Sequence, residues 1–130
     1  MSHEVIGHPE FLDSDVFDIN CPSRGVLEHV TSRWGVLVLA ALAEGSMRFS
    51  ELHRRIGGVS QKMLAQTLRT LAADGFVHRE VTPATPPQVS YRLTELGSDV
   101  TQHVVGLVGW IEHKVPEILE ARQANAAADA

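Results

Sequence analysis

Between Arg48 and Phe76 the chain reads RFSELHRRIGGVSQKMLAQTLRTLAADGF, and its glycines divide it into two short helical patterns in a way few folds accommodate. Phe49, Leu52 and Ile56, spaced by three and four, predict one helix, closed by Gly57-Gly58. Ser60 predicts the start of a second, because its hydroxyl can accept from a first-turn amide. Gly75 predicts its end, since a left-handed residue costs little without a Cβ. The second helix should span about Ser60 to Asp74. At 3.6 residues per turn, Leu64, Leu68 and Leu71 share one stripe. Lys62, Gln66 and Arg69 lie opposite with no carboxylate among them, and Gln61 falls nearer the apolar side.

A helix pair joined by a glycine turn, whose second helix offers Lys, Gln and Arg, suits major-groove recognition of DNA. Arg or Lys can donate to guanine O6 and N7, and Gln can pair with adenine. The competing reading is the solvated face of an ordinary helical hairpin. The next stretch of chain bears on the choice. Val77 to Val81 and Val89 to Leu93 alternate like strands and are joined by Thr82-Pro83-Ala84-Thr85-Pro86-Pro87-Gln88. This predicts a β-hairpin with a stiff, projecting loop, because prolines cannot continue a ladder. A hairpin directly after a recognition helix is the order of a winged helix. Arg79 and Arg92 sit near the base of that wing, where they could meet phosphates or remain solvated.

The flanks read as supports. Residues 1–20 form an arm with one short turn near Pro9 to Leu12. A first helix is expected after Pro22, with Val26, Leu27 and Val30 as its buried stripe. Trp34 to Leu42, WGVLVLAAL, is apolar nearly all round. That predicts a helix buried on every side and stopped by Glu44-Gly45, in preference to a buried strand. Thr94 should cap a last helix with Leu96, Val100, Val104, Leu107, Ile111, Val115 and Ile118 at heptad-like spacing, widened by Val108 and Leu119. So broad a stripe asks for a partner chain. Pro116 is expected to kink this helix or restart it near Glu112 to Val115, and residues 122–130 to fray. The chain thus divides into an arm over 1–20, a winged helix-turn-helix core over 21–93, a dimerisation helix over 94–121 and a tail over 122–130. The fold class is mostly α with a small β-hairpin.

The formal net charge of −5 on 130 residues argues against a nucleic-acid partner until its distribution is examined. Residues 1–23 carry five acids and no Lys or Arg, whereas residues 24–93 carry nine Lys or Arg against five acids. Phosphate binding follows the local field of the docking face, so the basic middle remains compatible with DNA. No enzyme class is indicated, since a Gly-x-Ser-x-Gly elbow, a phosphate loop and a His-Glu-x-x-His motif are all missing. The seven histidines show no metal-ligand spacing and read as scattered surface groups. No cofactor is implied. The acidic start Met-Ser-His-Glu is not that of a secretory signal, and Trp34 to Ala43 is too short to span a bilayer. A lone cysteine, Cys21, fits a reducing cytoplasm. Its place before Pro22 puts it at a helix N-terminus near Arg24, both of which favour thiolate and make it a candidate sensor. The alternative is a small, buried, inert residue.

From Cys21 to about Gly97 the chain resembles the HxlR-type transcriptional regulators, winged-helix dimers related in architecture to the MarR group. The matching pieces are Cys21-Pro22, Arg33-Trp34, Arg48-Phe49-Ser50-Glu51-Leu52, Ser60-Gln61-Lys62-Met63-Leu64 with Leu68 and Leu71, Asp74-Gly75, Pro86-Pro87 with Val89 and Tyr91, and Leu93-Thr94-Glu95-Leu96-Gly97. Gly35 departs from the pattern, standing where a helix-favouring or hydroxyl residue is usual, and is expected to loosen the start of the core helix. The resemblance implies a homodimer joined through its first and last helices, and the heptad-like spacing of the last helix offers Leu96, Val100, Val104, Leu107, Ile111 and Val115 as interface residues. It implies that Ser60, Gln61, Lys62 and Gln66 face the groove of a double-stranded operator with an inverted repeat, with Arg69 added by the helical wheel. It also implies that the wing, residues 82–88, contacts backbone, and that Cys21 could answer a small reactive electrophile or oxidant. A winged-helix dimer serving protein interaction without DNA is the alternative.

Overall fold

The computed structural model describes residues 14–129, so the turn expected near Pro9 to Leu12 lies outside the described residues. In chain order the elements are α1 (Pro22–Thr31), α2 (Arg33–Leu42), β1 (Met47–Arg48), α3 (Phe49–Arg55), α4 (Gln61–Ala73), β2 (Val77–Thr82), β3 (Gln88–Leu93) and α5 (Glu95–Asp129). Three helices supply the centre of the core. Val38 and Leu39 of α2, Leu52 of α3, and Leu64, Leu68 and Leu71 of α4 are essentially inaccessible to solvent. Each such leucine contributes about 1.5–3 kcal/mol by leaving water, which fixes α4's inward face as the leucine stripe. Phe76, Val77 and Val104 close the core from the hairpin and α5.

Local chemistry sets the element ends. The Ser60 hydroxyl accepts from the Met63 amide at 3.0 Å, capping α4 as its position predicts. Gly75, at φ +85°, turns the chain out of α4, and the Phe76 amide reaches back to the Leu71 carbonyl at 2.9 Å. Thr94 begins α5 by accepting from the Gly97 amide at 2.9 Å and donating to the Gly75 carbonyl at 2.5 Å.

Several expectations are corrected. The hairpin is part of a three-stranded sheet ordered β1-β3-β2, with Met47 opposite Tyr91 and Arg48 opposite Ser90. Helix α1 buries no residue: Val26 and Leu27 are exposed and only Val30 packs on the core. Helix α2 is not buried all round, because Leu37 remains exposed beside α5. Helix α5 does not restart near Pro116 but continues through it. Pro116 and Glu112 are both exposed, so the Glu112 carbonyl left without a donor can turn to water. The segment expected to fray is helical to Asp129, consistent with the high helix propensity of its alanines.

Gly35 does not loosen α2. A Cβ there would stand 2.3 Å from the His29 carbonyl oxygen and 2.6 Å from Ser32 Oγ, so glycine is what lets α1 close onto α2. Ser32 caps α2 by accepting from the Gly35 amide at 3.1 Å. No helix among the described residues is long and apolar enough to cross a membrane.

Candidate nucleic-acid interface

Burial of Leu64, Leu68 and Leu71 turns the opposite side of α4 outward, and Gln61, Lys62, Gln66 and Arg69 are all exposed there. Gln61 is therefore not on the core side, where the wheel put it; as the first helical residue it lies ahead of the stripe. Ser60 is exposed, and with its oxygen accepting the capping bond it retains a hydroxyl proton to donate and one lone pair. The face carries no carboxylate. Asp74, at the C-terminal end of α4, is occupied by His29, whose Nδ1 lies 2.6 Å from its Oδ2. That contact also corrects the view of the histidines as scattered surface groups. Among the described residues no three His, Cys, Asp or Glu side chains gather as a metal site.

The wing arginines separate. Cross-strand register pairs Arg79 with Tyr91 and His78 with Arg92. Residues directly opposite share a face, so Arg79 lies on the side of Met47 and Tyr91, and Arg92 on the outer side. Arg92 Nε is 3.7 Å from Glu80 Oε1, an exposed pair that binds it only weakly. Arg48 shares the outer side through its register with Ser90 and was missed from sequence because a two-residue strand leaves no alternation to read. Arg55 is held bidentately by Glu44 at 3.0 and 2.6 Å, and this guanidinium keeps the Glu44 carboxyl below the usual carboxylate range.

Cys21 is half-buried, not sealed in the core. Its sulfur lies 3.2 Å from the Ser23 hydroxyl and 3.3 Å from the Asp15 amide. These groups lower the thiol to about 7, the Ser23 hydroxyl first, then the Asp15 and Ser23 amides. The role expected of Arg24 is corrected, because its guanidinium is committed to Glu28 at 3.0 Å and to the Phe17 carbonyl at 3.4 Å.

The seam proposed for a partner is split. Val104 belongs to the chain's own core at 6% exposure, and Val100 packs against it. Leu96 is exposed but lies next to Gly75. Leu107, Ile111 and Val115 are exposed, joined by Leu119 and by Trp110, which is 57% exposed. Trp110 escaped the sequence reading because it falls outside the strict heptad.

A helix pair across a glycine turn, a second helix with one face exposed, and a three-stranded sheet whose hairpin carries an exposed loop define a winged helix-turn-helix protein. The sequence profile of the HxlR-like helix-turn-helix family matches residues 29–118, and the chain belongs to that family. It is 55% identical over 115 residues to the HTH-type transcriptional regulator YtfH of Escherichia coli, covering 88% of this chain and 91% of that one. The solved structure of the putative transcriptional regulator ytfH from Salmonella typhimurium superposes with a TM-score of 0.81 at 52% identity, covering 85% of this chain and 99% of that one. The redox regulator HypR in its oxidized form matches with a TM-score of 0.66 at 36% identity, covering 72% of this chain and 96% of that one.

Proposed function

We propose that the chain is a sequence-specific, DNA-binding transcriptional regulator that acts as a homodimer. The observation that carries this reading is the exposed, carboxylate-free face of α4, Gln61, Lys62, Gln66 and Arg69, held outward by three buried leucines. Two such helices related by a two-fold axis would read half-sites of an inverted repeat about 10 bp apart, or a multiple of it. The wing, with Arg92 and Arg79 at its base, supplies sequence-independent phosphate contacts. Leu107, Trp110, Ile111 and Val115 of α5 are the dimer contact. Cys21, with its lowered thiol and partial exposure, senses an oxidant or electrophile, a reading supported by the similarity to a redox regulator.

Binding-site selection from genomic fragments, followed by affinity measurement on the selected duplex, tests the reading. Arg69→Ala or Gln66→Ala should cost about 1–3 kcal/mol through a lost base contact, and Arg92→Ala should weaken all duplexes alike. Unchanged binding by both α4 variants would overturn the groove assignment. A wild-type protein that retains no duplex even at low salt would instead point to a protein-docking role.

A further inference from the structure

We propose that His29 is a positioning residue for DNA reading: its contact with Asp74 links α1 to the C-terminal end of α4 and sets the orientation of that helix. This rests on α4 being the recognition helix. The contact spans 45 residues of sequence and brings Nδ1 within 2.6 Å of Oδ2, with Asp74 only 20% exposed. Asp74 is the C-cap of α4, the last point at which that helix can be steered. On one side this end is fixed to the start of α5, through the Thr94 hydroxyl on the Gly75 carbonyl and the Thr94 amide on the Phe76 carbonyl at 3.0 Å. On another side His29 holds it.

The strut matters because, among the described residues, α1 has little apolar packing to hold it. It buries no residue, and Val30 is its one side chain packed against the core. His29 itself is well anchored, since the Ser32 hydroxyl donates to its carbonyl at 2.9 Å and Gly35 approaches the same oxygen with no side chain between them. A movement of α1 is therefore passed to Asp74 through a rigid corner and a short polar bond. The far end of α1 begins at Cys21, so the same helix joins the candidate sensor to the recognition helix.

Hydrogen exchange on the full-length protein and affinity for the selected duplex test the link together. His29→Ala should speed exchange in the last turn of α4 while leaving α3 unchanged. It should also weaken the selected site about tenfold, the scale of one charge-assisted hydrogen bond, with nonspecific duplex affected less than about twofold. His29→Asn, which can place an amide N–H near Nδ1, should restore most of both. The double variant His29→Ala/Asp74→Ala should bind no worse than the weaker single one. Unchanged exchange in α4, or equal loss on specific and nonspecific duplex, would overturn the proposal. If His29→Ala does not fold, His29→Asn and Asp74→Asn carry the comparison. The exchange measurement needs no DNA: a wild type that binds no duplex would sink the regulator reading, while faster exchange in α4 would still uphold the link.

Discussion

The carbonyl oxygen of Phe76 lies 1.9 Å from the point where a β-carbon on Gly97 would stand. The obstacle is backbone, so no rotamer change relieves it. Gly97→Ala should cost about 1–3 kcal/mol or more, as overpacking does in a closed core. Gly106, in the same helix, has open space around it, and Gly106→Ala should gain up to about 1 kcal/mol of helix propensity. Urea midpoints of the two variants should move in opposite directions. A Gly97→Ala protein as stable as the wild type would contradict the packing of α5 on the turn between α4 and β2.

Thr101 is 3% exposed, and its hydroxyl is buried with no hydrogen-bond partner among the described residues. Valine keeps the shape and removes the unsatisfied oxygen, so Thr101→Val should stabilise by about 1 kcal/mol. Thr101→Ser keeps the oxygen and loses a methyl, and should destabilise. Thermal melts that rank the serine variant above the valine variant would refute this account.

Cys21, lowered to about 7, should be alkylated at a rate that climbs as pH rises through 7 and levels off above it, because only thiolate attacks. Below 7 the rate should fall about tenfold per pH unit. Ser23→Ala removes the largest cause of the lowering, so its rate profile should shift to higher pH. Iodoacetamide kinetics on the native protein measure both. Profiles that coincide would remove Ser23 from the explanation.

Leu107→Glu places a carboxylate in the middle of the exposed apolar face of α5, where a partner would bury it unpaired. Sedimentation should report a monomer or loss of solubility. Val105→Glu, in the groove against α2 instead, should leave the mass unchanged. A Leu107→Glu dimer of unaltered mass would remove this face from the interface.

The helices of the winged helix-turn-helix core were legible because each carried punctuation as well as periodicity. Ser60, Gly75 and Thr94 act as their positions predict. Legibility failed where a partner outside the local pattern decides. A stripe on α1 cannot announce that the domain leaves it uncovered, and a glycine at 35 reads as a weak helix former until the His29 carbonyl is found against it. The Arg79 and Arg92 positions were found, but their faces depend on strand register, which alternation alone leaves open. The His29 to Asp74 contact had no sequence signal, being made by two half-buried residues 45 positions apart.

In α5 the last side chain sealed in the domain is Val104, yet the helix continues to Asp129. Val108 is the last of its side chains packed against that core, and at 1.5 Å per residue the helix runs roughly 31 Å beyond it. Most helical stability in proteins comes from packing of an apolar face, so the second chain of the proposed homodimer would supply the packing that this segment lacks within its own domain. Folding of this segment is then a two-body event: its melting temperature should rise with protein concentration. If the proposed homodimer is the form that binds DNA, then below the concentration at which copies meet the occupancy of its site would fall with the square of the copy number, a threshold where a monomeric binder would give a gradient.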